Sequence, residues 1–251
     1  MNALEGRAAL VTGGAVRIGR SIALALAAAG ADVAVHYRHS AAEAEATVAA
    51  VRERGRRGAA VCAELSDADA CVRLVDDAAA ALGRSPDILV NNASLFELAP
   101  PESADLDAWA RQMRVNLRAP LLLSQAFAAR LPAGAAGDIV NLNDIHALGA
   151  WGRDLPYILS KQGLHVLTRD LALALAPRVK VNEVALGAVL APASPPPGYR
   201  PTPRSRLPLD RFPTPDDVAA AVLFLVTCPA VTGQTVAVDG GEHLLGAGDQ
   251  G

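Results

Sequence analysis

The 251-residue sequence predicts an α/β fold, a doubly wound parallel sheet flanked by helices, in a single domain spanning residues 1–251. Short apolar segments alternate with longer Ala-rich helical stretches. This order requires right-handed crossovers and therefore a parallel sheet that is covered on both faces. Hydrophobic residues make up 51% of the chain and aromatic residues only 4%, which favours an aliphatic core of helices packed on a sheet. No linker divides the chain, and no repeat of solenoid period occurs in it.

Seven segments are predicted to be strands because each is short, apolar and bounded by longer helical stretches. In chain order they are Ala8 to Thr12, Asp32 to Tyr37, Gly58 to Ala63, Ile88 to Asn91, Ile139 to Leu142, Val179 to Val184 and Thr235 to Val238. Helices are predicted, among others, at Arg20 to Ala29, Val115 to Arg130 and Tyr157 to Ala176.

Leu190 to Pro215 is predicted to be a long loop. The segment holds nine of the seventeen prolines, and proline removes a backbone donor and fixes φ, so neither a regular helix nor a central strand can form. It follows the sixth strand at the carboxyl edge of the sheet, where ligands of such folds bind. We expect it either to cover a substrate or to be a mobile surface loop.

Composition and charge argue against several classes of partner. The formal net charge is -3 and no basic block occurs, so nucleic acid is not an expected partner. No segment approaches the ~20 apolar residues that cross a bilayer, and no apolar signal core follows Met1, which predicts a cytoplasmic protein without a membrane partner. The cysteines Cys62, Cys71 and Cys228 form no C-x-x-C pair, so neither a disulfide framework nor a metal site is expected.

A glycine-rich turn joins the first predicted strand to the first helix. It reads Thr12-Gly13-Gly14-Ala15-Val16-Arg17-Ile18-Gly19. Glycines allow positive φ and let backbone N–H groups approach a pyrophosphate, while the helix N-terminus adds a favourable field. The turn predicts a dinucleotide site of the Rossmann type, although a purely structural turn can contain the same glycines.

The end of the second strand favours NADP over NAD as the cofactor. NAD-selective sites usually place an Asp or Glu there, whereas this strand ends in His36-Tyr37-Arg38-His39-Ser40. Arg38, Ser40 and Arg17 offer positive charge and hydrogen-bond donors to a 2′-phosphate. The alternative is that Arg38 and His39 are solvated residues at the start of the next helix.

Tyr157 and Lys161 are predicted to form the catalytic centre. They lie four residues apart at the start of a helix, so their side chains share one face. An ammonium beside a phenol is expected to lower the phenol pKa from its unperturbed ~10, which suits proton exchange. Asn116, in the neighbouring predicted helix, is expected to bind a backbone group or a water linked to Lys161.

The sequence resembles the short-chain dehydrogenase/reductases in motifs that follow the family's order. These are the Thr-Gly-x-x-x-x-x-Gly turn, Asn91-Asn92-Ala93-Ser94, Asn116 and Tyr157-x-x-x-Lys161, within a match from Arg7 to Val238-Asp239-Gly240-Gly241. The resemblance implies that Tyr157 supplies the substrate proton and that Lys161 orients the cofactor ribose and lowers the pKa of Tyr157. It also implies that Asn116 supports a proton relay.

Asp144 stands where the family usually has a serine, thirteen residues before the tyrosine. The same aspartate is typical of one subgroup, the pteridine reductases and the related dihydromonapterin reductases. Arg17, the segment from His36 to Ser40, and Phe96 are also similar to that subgroup. A carboxyl group can pass or orient a proton for a ring nitrogen. His146 has no assigned partner and is expected to be a structural residue at the edge of the site.

The resemblance also implies which residues contact each ligand. Expected cofactor contacts are Gly13, Arg17, Ile18, Gly19, His36, Arg38, Ser40, Glu64, Leu65, Asn92, Ala93, Tyr157, Lys161 and Gly187. Expected substrate contacts are Arg17, Ser94, Phe96, Asp144 and Tyr157. Two further residues depart from the family pattern: Glu64 replaces a common Asp near the adenine, and Leu186 replaces a common Pro.

The implied reaction is the NADPH-dependent reduction of a dihydropterin to a tetrahydropterin, with folates as further candidate substrates. Two alternatives remain open: a short-chain reductase of ketones or 3-oxoacyl thioesters, and a non-catalytic NADPH-sensing protein. A homo-oligomer, a tetramer by resemblance, is also expected. The predicted helices Val115 to Arg130 and Tyr157 to Ala176 are apolar around much of their circumference, which favours association.

Overall fold

The computed structural model describes residues 3–97, 105–191 and 202–245. Its strands are β1 (Ala8–Val11), β2 (Asp32–Tyr37), β3 (Gly58–Cys62), β4 (Ile88–Asn91), β5 (Gly137–Asp144), β6 (Val179–Leu186) and β7 (Thr235–Val238). They form one sheet in the order β3-β2-β1-β4-β5-β6-β7, and every pairing is parallel. The predicted single-domain, doubly wound α/β fold is confirmed.

Helices on both faces of the sheet connect the strands. They are α1 (Arg17–Ala28), α2 (Ala41–Glu53), α3 (Ala68–Leu82), α4 (Leu106–Met113), α5 (Ala119–Arg130), α6 (Leu155–Ala174) and α7 (Pro215–Thr227). The predicted helix Val115 to Arg130 is divided, because a π-helical turn over Arg114–Arg118 joins α4 to α5. Among the helices of the described residues, none combines the length and the apolar character needed to cross a bilayer.

Side chains alternate between the two faces of the sheet along each strand, and helices cover both faces, so both are buried. In β1, Ala9 and Val11 face the core beneath α1, α2 and α7, whereas Ala8 and Leu10 face the core beneath α3, α5 and α6. Burying an aliphatic side chain of the size of valine or leucine stabilises the fold by roughly 1.5–3 kcal/mol. The two aliphatic layers therefore hold the carboxyl ends of the strands at one edge, where the candidate site lies.

The predicted loop Leu190 to Pro215 is described only in part, since residues 192–201 lie outside the described residues. Residues 202–214 contain one short 3₁₀ turn, Arg204–Arg206. The loop ends one residue earlier than predicted, because Pro215 is the first residue of α7. Thr214 caps this helix: its Oγ1 accepts from the Asp217 N–H at 3.2 Å, and the Asp217 carboxylate accepts from the Thr214 N–H at 2.8 Å.

Candidate active site

The candidate active site lies where the order of the strands reverses. β1 pairs with β2 on one side and with β4 on the other. The connections that follow β1 and β4 therefore run toward opposite sides of the sheet. Their divergence opens a crevice at the carboxyl edge. The glycine-rich turn after β1, the segment after β4, and Asp144 at the end of β5 all lie at this edge.

The turn after β1 has the close backbone packing that a pyrophosphate requires. Gly13 has a φ of 62°, in the left-handed region. A side-chain carbon on Gly19 would lie 2.1 Å from the Gly13 carbonyl oxygen and 2.6 Å from Nδ2 of Asn92. α1 begins at Arg17, three residues before its predicted start, and Val16 supplies no side-chain cap. The first N–H groups of α1 are therefore available to an anion, and the turn fits a dinucleotide.

Gly19→Ala is expected to damage this turn. The added methyl would meet backbone atoms that cannot move independently, and such overpacking costs roughly 1–3 kcal/mol. Relief of this strain shifts the turn away from the conformation that fits the pyrophosphate. With a comparable loss of binding free energy, at about 1.4 kcal/mol per factor of ten, we expect NADPH to bind roughly tenfold more weakly or worse in a fluorescence titration. Gly149→Ala is the matched control, since nothing lies within 4 Å of the added carbon. If Gly19→Ala bound NADPH as tightly as this control, the packing argument would be refuted.

His36 supports the glycine turn from beneath. Its Nδ1 accepts the Gly13 N–H at 3.0 Å, and its Nε2 lies 3.2 Å from the Ala63 carbonyl oxygen. Burial lowers the pKa of His36 to about 4, so the ring is neutral and donates from Nε2 to Ala63. His36 therefore joins the turn to the end of β3 and holds the backbone of Gly13 in place.

Arg38 and Glu64 form an ion pair at the ends of β2 and β3. Nε of Arg38 lies 3.1 Å from the Glu64 carboxylate and 2.6 Å from Nε2 of His39. Burial raises the pKa of Glu64, but hydrogen bonds from Ser66 and the charges of Arg38 and His39 outweigh it and leave that pKa below its usual value. A cavity of about 160 Å³ lies beside the pair, lined by Gly13, His36, Arg38, Ala63, Glu64, Leu65, Ala93, Ser94, Leu95 and Val115. Most of these residues were predicted ligand contacts.

Asp144, Tyr157 and Lys161 lie together at the end of β5 and the start of α6. The Tyr157 hydroxyl donates to Oδ2 of Asp144 at 3.0 Å. Nζ of Lys161 lies 5.9 Å from the centre of the Tyr157 ring and donates to the Leu142 carbonyl oxygen at 2.9 Å. Lys161 is only 3% exposed. The structure thus brings together the carboxyl group, the phenol and the ammonium that the sequence predicted to be neighbours.

The expectation that Lys161 lowers the pKa of Tyr157 is wrong for this structure. Burial raises the pKa of Tyr157 well above its ordinary value, and the negative charge of Asp144 and its hydrogen bond to the phenol raise it further. A hydrogen bond with Ser94 opposes these effects but does not outweigh them. The phenol therefore keeps its proton through the neutral range. The carboxylate, at 3.0 Å, dominates over the more distant ammonium.

The charges around the phenol are set by burial and by their neighbours. Burial lowers the pKa of Lys161 to about 8, although the carboxylates of Asp144 and Glu183 oppose that effect. Burial raises the pKa of Asp144, but the hydrogen bonds and charge of His146, together with the charge of Lys161, outweigh burial and leave that pKa below its usual value. Around neutral pH the cluster therefore holds a carboxylate, a neutral phenol and an ammonium.

Asn116 is buried in the π-helical turn and binds the backbone of Leu95. Its Oδ1 accepts the Leu95 N–H at 2.7 Å, and its Nδ2 donates to the Leu95 carbonyl oxygen at 2.8 Å and to Oγ of Ser160 at 3.1 Å. The expected bond to a backbone group is therefore present. Asn116 fixes the segment after β4 against α6, beside Tyr157.

His146, to which the sequence assigned no partner, bonds to Asp144 in the site. Both its backbone N–H, at 2.9 Å, and its Nδ1, at 2.8 Å, bond to Oδ1 of Asp144. Its ring lies 3.5 Å from the ring of Trp151, centre to centre. With Oδ1 occupied in this way, Oδ2 of Asp144 faces Tyr157. The Asp-x-His spacing was the available signal, and Asp144 is the N-cap of the 3₁₀ turn Ile145–Leu148.

The remaining predicted contacts lie along the same crevice. Phe96 packs edge-on against Tyr157, with ring centres 4.8 Å apart. Arg17 has a φ of 56° and donates to the Ala191 carbonyl oxygen, at the start of the loop after β6. The other predicted contacts lie in the turns that border the crevice. Ser94 donates to Asn116, and Asn92 donates to the carbonyl oxygens of Thr12 and Gly13. Ile18 lies in the first turn of α1, Ser40 precedes α2, and Gly187 packs against Asp239.

A Rossmann-type sheet with a glycine-rich turn and an Asp-Tyr-Lys cluster at its crevice defines a nucleotide-dependent oxidoreductase. Comparison with known proteins gives the family. A family model described as enoyl-(acyl carrier protein) reductase matches residues 14–243. The 3-oxoacyl-[acyl-carrier-protein] reductase of Synechocystis sp. is 34% identical over 249 residues, which cover 98% of this chain and 100% of the relative.

Two solved structures agree with this chain over nearly its whole length, and both contain the cofactor. FolM alternative dihydrofolate reductase 1 from Brucella suis, in complex with NADP, has a TM-score of 0.87 and 35% identity and covers 96% of each chain. A short chain dehydrogenase from Burkholderia cenocepacia, in complex with NADP, has a TM-score of 0.89 and 39% identity, over 96% of this chain and 99% of that one. The chain belongs to the short-chain dehydrogenase/reductase family and is an NADP-binding oxidoreductase.

Proposed function

We propose that the protein reduces a pterin with NADPH, converting a dihydropterin to a tetrahydropterin and also accepting folates. The observation that carries this proposal is the 3.0 Å hydrogen bond from Tyr157 to Asp144. Reduction of a C=N bond needs a proton at the ring nitrogen, and a carboxyl group paired with a phenol is suited to handle it. A solved structure similar to this chain is that of an alternative dihydrofolate reductase, which also supports the proposal.

In this proposal Tyr157 is the proton donor. Because burial and, after it, Asp144 raise its pKa, the phenol carries a proton throughout the neutral range, and a reduction consumes that proton. Asp144 orients the phenol, and Lys161 binds the ribose and balances the negative charge left on the phenol. NADPH, when bound, supplies the hydride. Asn116 holds the segment after β4 so that Tyr157 meets the substrate in one orientation.

The same proposal assigns the ligand contacts. The edge of Phe96 beside Tyr157 offers an apolar face to a flat heterocycle, and Arg17 and Ser94 offer donors to its polar rim. A dinucleotide would be held near the glycine turn by Gly13, Ile18, Gly19, His36, Asn92 and Ala93, and further along the crevice by Gly187. Leu65 and Glu64 would contact the adenine. Arg38 and Ser40 would bind the 2′-phosphate, with Arg38 giving up part of its bond to Glu64.

A carbonyl reductase is the second candidate. The similarity to the 3-oxoacyl-[acyl-carrier-protein] reductase favours it. Such a reductase uses the same Tyr157 and Lys161, but a carboxylate at residue 144 would repel the developing oxyanion of a carbonyl substrate. The position of Asp144 therefore favours the pterin.

One assay separates the candidates. NADPH and NADH are each offered with dihydrobiopterin, dihydromonapterin, dihydrofolate, a simple ketone and a 3-oxoacyl thioester, and cofactor oxidation is followed. We expect NADPH to be oxidised with a dihydropterin, and NADH to be at least tenfold poorer, since Arg38 can bind a 2′-phosphate with a charge-assisted bond of roughly 1.5–3 kcal/mol. Oxidation with only the ketone or thioester would reject the pterin. Tight NADPH binding without oxidation by any acceptor would indicate a sensor.

We also propose that the protein is a homo-oligomer, with a tetramer as the expected form. Leu106 on α4 is 82% exposed and Leu173 on α6 is 83% exposed. Val166 and Leu159 on α6 and Trp109 on α4 are also exposed. A cluster of this kind on packed helices is typical of a surface that a second copy covers.

A further inference from the structure

We propose that Glu183 is a positioning residue of the active site, which fixes the end of β5 against α6 through Asn143 and supplies a negative charge opposite Lys161. Glu183 is in the middle of β6, on the side of the sheet covered by α6, and is fully buried. The inference rests on the catalytic roles proposed for Asp144 and Lys161, but not on the identity of the substrate.

Four donors surround the Glu183 carboxyl group. Oε1 accepts from Nδ1 of His165 at 2.5 Å and from the Thr235 hydroxyl at 2.7 Å. Oε2 accepts from Nδ2 of Asn143 at 2.9 Å and lies 3.2 Å from the Thr168 hydroxyl, which shares its proton with the Leu164 carbonyl oxygen at 2.8 Å. Each of these four groups can donate, and Nδ2 of Asn143 can only donate, so the arrangement suits a carboxylate.

Asn143 connects this carboxylate to the catalytic residues. Its Oδ1 accepts the Asp144 backbone N–H at 2.9 Å, and its Nδ2 also lies 3.2 Å from the Lys161 carbonyl oxygen. Glu183 fixes Nδ2 of Asn143 and therefore fixes the direction of Oδ1. Through this one amide, the backbone of Asp144 and the helical turn that carries Lys161 are held at a constant separation.

The charge of Glu183 acts on Lys161. Burial favours the neutral amine of Lys161, and the carboxylates of Asp144 and Glu183 oppose burial. Within the described part of the chain, the titratable side chains that act on this region are His165 and Lys161 from α6 and Asp144 from β5, and from β7 the contact is the neutral Thr235. Without Glu183, Asp144 would be the remaining carboxylate that keeps Lys161 charged around neutral pH.

The chain allows a direct measurement, because Lys161 and Lys180 are its two lysines. In the full-length, ligand-free protein with ¹³C at the lysine ε-carbon, NMR gives two signals that can be titrated, and Lys161→Met assigns them. We expect Glu183→Gln to move the midpoint of the Lys161 titration to lower pH by about one pH unit, since a nearby opposite charge has an effect of this order. The Lys180 signal is expected to be unchanged.

Two further variants separate charge from hydrogen bonding. Thr235→Val removes one donor but leaves the charge, so the Lys161 midpoint is expected to stay in place. Asn143→Ala cuts the link to Asp144 and is expected to lower kcat several-fold with little change in KM, again without moving the midpoint. This variant still tests the link if Glu183→Gln does not fold.

A kinetic measurement tests the same effect. For whichever acceptor the enzyme reduces, the alkaline limb of the plot of kcat against pH is expected to move with the Lys161 midpoint in Glu183→Gln. An unchanged Lys161 midpoint in Glu183→Gln, or unchanged kcat in Asn143→Ala, would overturn the proposal. The NMR titration needs no substrate. A failure of pterin reduction therefore leaves it intact, and a failure of the titration leaves the pterin assignment intact.

Discussion

Tyr157→Phe is expected to lower NADPH oxidation by a factor of 10² to 10⁴, the usual contribution of a positioned proton donor. The substitution removes the hydroxyl and keeps the ring, which still packs against Phe96. Because the lost interaction belongs to the transfer step, the loss should appear in kcat, with the Kd for NADPH changed about twofold or less. Steady-state kinetics and a fluorescence titration measure the two quantities.

Tyr37→Phe is the matched control, since it removes a phenol hydroxyl at the end of β2, away from the Asp144 cluster. It should retain the kcat of the unmodified protein. Loss of a proton donor should leave about a hundredth of that kcat or less. If Tyr157→Phe retains more than about a tenth of it, another group supplies the proton and the proposed role of Tyr157 is wrong.

Lys161→Met is the second variant with a large expected effect. It is expected to lower activity and to raise the free energy of unfolding around neutral pH. Activity should fall by about 10² or more, because the cation proposed to bind the ribose and to support Tyr157 is lost. Stability should change with pH, since burial lowers the pKa of Lys161 to about 8. With an ordinary value of ~10.4, the buried ammonium costs about 3 kcal/mol in the folded state.

The sign of the pH dependence follows from the direction of that shift. Below about pH 8 the lysine is protonated in both the folded and the unfolded chain, and the folded state bears the full cost of the charge. Between about pH 8 and the ordinary value near ~10.4, the folded protein loses the proton first, so the cost fades. The free energy of unfolding of the unmodified protein should therefore rise relative to that of Lys161→Met over this window.

Urea denaturation at a series of pH values measures this difference. Arg169→Met is a suitable control, since Arg169 lies on the exposed side of the same helix. A constant difference between the unmodified protein and Lys161→Met from pH 7 to 10.5 would contradict the lowered pKa of Lys161.

The positions of the strands could be predicted from the sequence because apolar runs in a sheet buried on both faces stand out from their surroundings. The prediction failed at polar strand ends. β5 starts at Gly137 and ends at Asp144, beyond the predicted Ile139 to Leu142, because Asp138, Asn143 and Asp144 find partners that only the folded chain provides. Burial of polar residues in a strand depends on such partners, and they come from distant parts of the chain.

The residues of the candidate site could be predicted from the sequence, but the directions of their pKa shifts could not. The spacing of Tyr157 and Lys161 indicated a shared helical face, yet the direction of the Tyr157 pKa shift depended on burial and on the nearby carboxylate of Asp144. The role of Glu183 was missed, although a carboxylate within a strand predicted to be buried indicates that several hydrogen-bond donors surround it. The identities of these donors, His165, Thr168 and Thr235 among them, follow only from the packing of α6 and β7 on β6.

The central claim is that this site transfers a hydride from NADPH to a pterin while Tyr157 supplies the proton. The most direct test uses NADPH carrying deuterium at the transferring position, with a dihydropterin as acceptor and NMR of the pterin product. We predict one deuterium on the carbon of the reduced C=N bond in the tetrahydropterin, and no incorporation with Tyr157→Phe on the same time scale. Deuterium that stays in the nucleotide, with the dihydropterin recovered unchanged, would contradict the account.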